Sequence, residues 1–537
     1  MFLSFSVPLL LLAWAHSAAA ATADEWRGRS IYQIITDRYA LPSSTPKSDC
    51  DVSRQTFCGG TWNGIRENLD YIQNAGFTAI WISPINKNYE GPRTAYGDPY
   101  HGYWVTDVSQ LNSKFGTADD LKALSADLHK RGMLLMVDIV VNNVMVTSTT
   151  NPDYSDCFFK DASFYHPYCP IVWGDTQSEQ TCWFGDEKVP LADVDTTNPT
   201  VIQRYGDWIQ GMVKEYGIDG LRIDAAKHVQ KSFWPTFCGK AGVFCMGEVF
   251  GGAEVDPIAE WQGPDALDSV LNFPMYAALR DAYSIPGPAN ITQLDQVFQD
   301  SKKKFKDTTL LGNFVENHDV PRWHNLSVDP QSLYNAMTWN FMADGIPIVY
   351  YGQEQSFSGS GDPNNREALW PSNYANTTAY QYITLLNKLR NFFVNTTDWA
   401  KSETEILTSS PHGFAFLKGP IISILTNIGS PPQAGVHISV KTPWETTTAL
   451  TNVITCTQWV VGSNRMVDAQ YSLGGVPVVL VPSDQLKGSG LCGTELAYVD
   501  SHGGKADALN ANSARSPRKL SIIPFVAAVA ASLKFLL

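Results

Sequence analysis

The sequence predicts an α/β chain. Its centre is a (β/α)8 barrel with a subdomain inserted after the third strand, and an antiparallel β-sandwich domain follows. Three observations predict this. Near-continuous apolar runs recur eight times between amphipathic stretches, as in parallel strands buried on both faces. About 80 residues rich in Asp, Pro, Tyr and Cys separate the third run from the fourth, too long for a structureless loop. After about residue 400 the texture changes to alternating Thr, Val and Ile segments broken by Gly, Pro and Asn.

The eight runs are 30–36, 78–85, 134–141, 220–225, 243–249, 268–273, 312–316 and 346–351. Eight strands alternating with helices argue a closed barrel. One helix is well marked. Thr117 and Asp120 resemble a capping box, Leu121, Leu124 and Leu128 share a face, and Gly132 ends it. The barrel occupies 21–141 and 196–400, and the insert 142–195, with a helix near 201–216 after it. The β-domain runs over 401–495 and includes strands at 413–417, 421–428 and 436–440, and a polar stalk covers 496–512.

The 537 residues are 44% hydrophobic and 12% aromatic, which excludes a disordered or fibrous chain. With 39 basic and 53 acidic residues the net charge is −14, and no basic patch marks a nucleic-acid partner. Residues 1–20 read as a secretory leader, with an apolar run from Val7 to Trp14 and small residues Ser17 to Ala20. At the other end, small residues 510–514, a basic spacer (Arg515, Arg518, Lys519) and an apolar tail from Ile522 form the pattern of a GPI-anchor signal. A short tail-anchor helix is the alternative, but Pro524 and Lys534 shorten the span below the ~20 residues a bilayer needs. Attachment at Asn510 or Asn512 would remove 513–537. Loss of its four cations takes the charge from −14 to −18. The expected location is the outer face of the plasma membrane or the cell wall, and the expected state is a monomer.

Secretion favours disulfides. Cys50 with Cys58, Cys169 with Cys182, and Cys456 with Cys492 read as bridges. Cys157, Cys238 and Cys245 remain. An odd count leaves at least one thiol free, and Cys245, in an apolar strand, reads as a buried thiol. Sequons at Asn290, Asn325, Asn376 and Asn395 fit glycosylated surface loops.

Barrel chemistry sits at the C-terminal ends of the strands. There the sequence places Asp138, Arg222, Asp224, Glu248, His318 and Asp319. Arg222 and Asp224 are two apart on one strand and share a face, and an Arg beside an Asp favours the ionised carboxylate. Glu248 follows the apolar Phe244-Cys245-Met246-Gly247, a setting that raises a carboxyl pKa. One ionised and one protonated carboxyl is the pairing that retaining glycosidases use.

Four segments resemble, in order, the motifs of the α-amylase family of glycoside hydrolases, closest to its fungal branch. They are Asp138-Ile139-Val140-Val141-Asn142-Asn143, Gly220 to His228, Gly247-Glu248-Val249, and Phe314 to Asp319. Tyr96 to Trp104 and Gly361 to Glu367 also match, and the resemblance runs from about Asp24 to Cys492. It implies that Asp224 is the nucleophile, Glu248 the acid/base and Asp319 the transition-state stabiliser, with Arg222 orienting Asp224. It implies His318 on the −1 sugar, Tyr103 as the platform beneath that ring, and His101, Trp104, Lys227, His228, Asp362 and Arg366 as further substrate contacts. It also implies Ca²⁺, an ion that takes hard oxygen ligands. Asn142, Asp193 and the backbone carbonyl of His228 match the ligands. The fourth, normally acidic, falls at Gln180 beside Glu179, so either the register slips by one or a neutral amide serves.

The first motif normally ends in His and here ends in Asn143. Asn is a shorter donor and never charged, and losing such a donor costs about 1–3 kcal/mol of transition-state binding. One reading is drift in a weak hydrolase. The other is an altered fate of the glycosyl-enzyme. GPI-anchored fungal members with Asn here are 4-α-glucanotransferases acting on α-1,4-glucan and malto-oligosaccharides. That activity is the expectation for this chain. An anchored hydrolytic α-amylase is the alternative, and a non-catalytic glucan-binding surface protein is the second alternative.

Overall fold

The computed structural model describes residues 21–285, 290–431, 435–471 and 474–495. The predicted leader, stalk and anchor signal, with Asn510 and Asn512, lie outside the described residues. Among the described residues no helix is long and apolar enough to cross a membrane.

All eight predicted strands form. They are β1 (Ile31–Ile34), β2 (Ala79–Ile82), β3 (Leu134–Ile139), β4 (Gly220–Ile223), β5 (Phe244–Gly247), β6 (Ser269–Val270), β7 (Gly312–Asn313) and β8 (Ile346–Tyr350). They pair in parallel in the order β6-β5-β4-β3-β2-β1-β8-β7. A parallel bridge between Leu271 and Gly312 joins the two edges and closes the ring. Every residue of these strands is buried, as helices outside and packed side chains inside require. β6 is shorter than predicted because Asn272 leaves the strand to cap the helix Phe273–Tyr283, its side chain accepting from Met275 N at 3.3 Å.

Local signals set the helices. Thr117 and Asp120 form the reciprocal capping box on Ala118–Lys130, and Leu121, Leu124 and Leu128 are buried beneath it. Asn198 caps Pro199–Tyr216, and Gly217 ends that helix at φ 61°, a conformation glycine adopts without strain. The insert carries a three-stranded sheet, with Val189–Asp193 pairing both Asn143–Met145 and Phe184–Asp186.

The C-terminal domain has a six-stranded antiparallel sheet and a ribbon of His437–Lys441 with Met466–Gln470. Period-two alternation divides the side chains between two cores. Ala415, Ile422 and Ile424 face Val440 and Ala469 of the ribbon. Phe414, Phe416 and Leu425 turn to the barrel, where Trp339 meets both Phe rings edge-on. A buried ion pair crosses the same junction. Lys418 Nζ donates to Asp344 Oδ1 at 2.7 Å and to the Ser402 carbonyl at 2.6 Å, and Asp344 also accepts from Thr404 N and Oγ1.

The three predicted disulfides are present. The reading of Cys245 as a free thiol is corrected, because it bonds to Cys238. The helix Phe233–Ala241 ends at Gly242 with φ 67°, and the chain reverses so that β5 returns beside it. The free thiol is Cys157, buried in the insert. Asn290, Asn325 and Asn376 are exposed, whereas Asn395 is half-buried in the last turn of the helix Thr378–Thr396 rather than in a loop.

Lys418→Met should leave Asp344 buried without its cation. Removing one partner of such a pair costs about 3–5 kcal/mol. Denaturant unfolding should register that loss, and an unchanged midpoint would remove the pair from the junction's energetics.

Candidate active site

The strand register builds the site. Asp138 on β3 pairs with Arg222 on β4, and Arg222 pairs with Met246 on β5. Asp224 and Glu248 each stand just past the end of their strand. Asp224 N donates to Ile139 O and Glu248 N to Ile223 O, which continues the ladder to the rim. Two adjacent strands therefore present the two carboxylates at one height.

Arg222 is fully buried and serves three carboxylates. Nη1 donates to both oxygens of Asp138 at 3.0 Å and to Asp224 Oδ1 at 2.8 Å, and Nη2 lies 3.1 Å from Glu248 Oε1. Asp224 and Glu248 are thus bridged by one guanidinium, each on a different nitrogen.

One cation cannot neutralise three anions, so the group holds protons above the ordinary carboxyl range. Burial is the largest cause throughout. It raises Asp138 to about 6, opposed by Arg222 and the Tyr103 hydroxyl. It raises Asp224 and Glu248 as well, again against Arg222. Desolvation opposes the ionised state that Arg222 favours at Asp224. The retained proton belongs to the pair. Asp224 receives the direct Arg222 hydrogen bond. Glu248 receives only Ala225 N at 3.2 Å beside its arginine contact, and so is the better holder of the proton.

An open cleft of about 810 Å³ lies above these groups, within the size range of ligand sites. It is lined by Asp224, Glu248, Asp319, Tyr103, Trp104, His101, Asn143, Lys227, His228, His318, Asp362 and Arg366. Every predicted catalytic and substrate residue is therefore on its wall, except Arg222 beneath the floor. Tyr103 stacks on His318 at 5.2 Å, and its hydroxyl donates to Asp138 at 2.7 Å. His318 is neutral: burial lowers its pKa, as do Arg222 and Arg366, and its Nδ1 contacts Gln33 Nε2 at 2.8 Å. His101 is likewise pushed down by burial, and its Nδ1 accepts from Tyr103 N. Arg366 reaches Asp319 at 3.4 Å and Asp362 at 3.1 Å. Asn143 is buried, and its Nδ2 has no hydrogen-bond partner. An unmatched donor on a cleft wall is unusual and suits a ligand oxygen.

Sequence reasoning missed Gln55, Trp173 and Phe250, which also line the cleft. Trp173 and Phe250 are 65% and 51% exposed, so neither is a core residue. Phe250 stands two residues past Glu248 and was the more legible of the two.

The predicted calcium ligands lie in adjoining segments. Val194 N donates to Asn142 O, and Asn143 pairs with Asp193 across the insert sheet. Gln180 Nε2 donates to the Lys227 carbonyl at 3.3 Å, next to His228. Glu179 instead turns its carboxylate to Gly174 N and to Lys227 Nζ. That favours the neutral amide over a register slip. Asp193 Oδ1 is buried without a partner, while Oδ2 takes His166 Nδ1 at 2.6 Å. An orphaned carboxylate oxygen among amides and carbonyls fits a hard cation. Among the described residues no three His, Cys, Asp or Glu side chains converge on a metal, and Asp193 is the one carboxylate among the predicted ligands.

The α-amylase catalytic-domain profile matches residues 33–407, and the α-amylase domain C profile matches 406–499. The chain belongs to the α-amylase family of glycoside hydrolases. It is 40% identical over 491 residues to α-amylase 2 of Schwanniomyces occidentalis, covering 88% of this chain and 94% of that one. It is 42% identical over 481 residues to α-amylase mde5 of Schizosaccharomyces pombe, covering 88% and 91%. A solved α-amylase from Malbranchea cinnamomea superposes with a TM-score of 0.83 at 40% identity, covering 88% of this chain and all of that one.

Arg222→Met should unmask the charge balance. It should destabilise the fold by about 3–5 kcal/mol near neutral pH, where the buried carboxylates lose their cation. Their folded pKa values are raised, so lowering the pH protonates them and the deficit should shrink. Thermal melts across pH would record this, and a deficit that grows in acid would contradict the balance.

Proposed function

We propose that the chain is a retaining 4-α-glucanotransferase acting on α-1,4-linked malto-oligosaccharides, held outside the cell by a GPI anchor. The observation that carries the reading is Asn143, an amide with an unpartnered buried donor in the cleft that holds Asp224 and Glu248. In the first step Asp224 attacks the anomeric carbon while Glu248 gives its proton to the departing glycosidic oxygen. In the second, Glu248 takes a proton from the incoming hydroxyl, which displaces Asp224. Asp319 and Arg366 contact the sugar on one side, and Tyr103 lies beneath it.

Water and a sugar 4-hydroxyl compete for the second step. Weaker −1 contacts slow both outcomes, but only a sugar regains part of the loss by binding on the acceptor side. The exposed rings of Trp173 and Phe250 offer apolar surface for such binding. Mainly hydrolytic α-amylase action is the second reading, favoured by relatives named α-amylase.

Malto-oligosaccharides incubated with the protein should give products longer than the donor with few new reducing ends, and Asp224→Asn should give none. Asn143→His should raise hydrolysis relative to transfer about fivefold or more, since 1 kcal/mol is about a factor of five. Chromatography beside a reducing-end assay decides. Shortened products only, with one reducing end per cleavage, would establish the hydrolase.

Ca²⁺ would be held by Asn142, Asp193, the His228 carbonyl and the Gln180 amide, stiffening the insert against the barrel. Chelation should lower the melting temperature by several degrees, because an ion that binds only the folded state stabilises it by mass action. The shift should vanish in Asp193→Asn. Equal shifts in both proteins would exclude this site.

A further inference from the structure

The cleft wall that carries Asp319, Asp362 and Arg366 comes from two segments far apart in sequence. One is the turn after β7, residues 316–323, and the other is the loop 359–367 after β8. Arg322 joins them while lying outside the cleft. It is fully buried. Its Nη1 donates to Glu316 Oε1 at 3.0 Å and to the Tyr351 carbonyl at 2.6 Å, and its Nε donates to Glu367 Oε2 at 3.0 Å. Its backbone N donates to Gly359 O at 3.0 Å. Glu316 Oε2 accepts from Trp323 N at 2.6 Å, and Glu367 Oε1 accepts from Gly359 N at 2.9 Å.

The contact points are telling. Glu316 and Arg322 sit three residues either side of Asp319. Gly359 and Glu367 bracket Asp362 and Arg366. Arg322 and its two glutamates together therefore hold both ends of the turn and both ends of the loop. The carboxylates lie 3.0 Å from the guanidinium, and its central carbon sits 4.0 Å from the centre of the Tyr350 ring. A buried ionic trio is poor value for stability, since apolar side chains of similar volume do as well or better. What it adds is direction, because an arginine fork fixes its acceptors in angle and distance.

We propose that Glu316, Arg322 and Glu367 form a positioning clamp for the known family reaction. The clamp sets the spacing between Asp319 and the Asp362–Arg366 pair, and so sets how one sugar is held for attack while its neighbour is gripped. The inference rests on the functional reading above, because it assumes that these groups contact substrate. None of the three clamp residues does so.

Glu367 is the accessible end, with a quarter of its side chain exposed, so replacing it spares the core. Glu367→Ala should lower kcat/KM on maltoheptaose about tenfold with a melting temperature near that of the parent. Glu367→Gln, which still accepts from Arg322, should recover most of it. The discriminating measurement is a double-mutant cycle with Arg366→Ala. If the clamp works through Arg366, Glu367→Ala should cost less than twofold once Arg366 is gone, whereas a merely structural residue would multiply its loss onto that variant. Arg322→Lys keeps the charge but cannot hold three acceptors in one plane. It is the second variant should Glu367→Ala fail to fold, and should behave the same way. Independent losses, or unchanged kcat/KM in folded variants, would overturn the clamp alone. A wild-type protein that turns over no maltoheptaose would overturn the proposed function, and the clamp with it.

Discussion

The site depends on one buried cation. Arg222 lies beneath the cleft with Asp138 on the neighbouring strand and Asp224 and Glu248 at the rim. Without it the ends of β3, β4 and β5 would bring three carboxylates together in a desolvated space. With it, one negative charge is offset and the remaining excess keeps a proton on the group. That surplus proton is what acid catalysis needs. The imbalance comes from three carboxylates on one cation, and burial is what keeps the proton on the group.

The barrel supplies the geometry that this balance requires. Parallel pairing in register puts Asp138 beside Arg222, and the ladder continued past the strands puts Asp224 beside Glu248. Tyr103 then links the floor to the wall, since its hydroxyl meets Asp138 while its ring meets His318. The neutral state of His318 and His101 follows from the same desolvation. It keeps both rings from adding positive charge to the cleft.

Two further polar groups show the same economy at a distance. Asp344 and Lys418 fix the β-domain to the barrel from inside an apolar junction. Asp193 keeps one oxygen bonded to His166 and one unmatched in the insert, where a cation would tie three segments together. In each place a buried charge stands where two units meet, and its directional bonds fix their relative positions.

Much was legible in the sequence because periodicity and motif are local. Eight apolar runs gave eight strands, Thr117 and Asp120 gave a capped helix, and strand-end positions put Asp138, Arg222, Asp224 and Glu248 in one place. What the sequence could not decide depends on neighbours brought from afar. It paired Asp224 with Arg222 two residues away, but the burial and the Glu248 and Asp138 carboxylates that push its pKa up come from elsewhere in the chain. It left Cys245 free, because only the reversal at Gly242 brings Cys238 to it. It could not choose between Gln180 and Glu179, because that turns on which side chain Lys227 holds. Trp173 reads as an ordinary aromatic in a loop until the insert folds beside the cleft. The sequence by itself determined the barrel, the order of its parts and the residue types at the rim, all written in short-range pattern. Only the tertiary structure decided protonation, cysteine pairing and the shape of the cleft, because each is set by desolvation and contacts between residues distant in the chain.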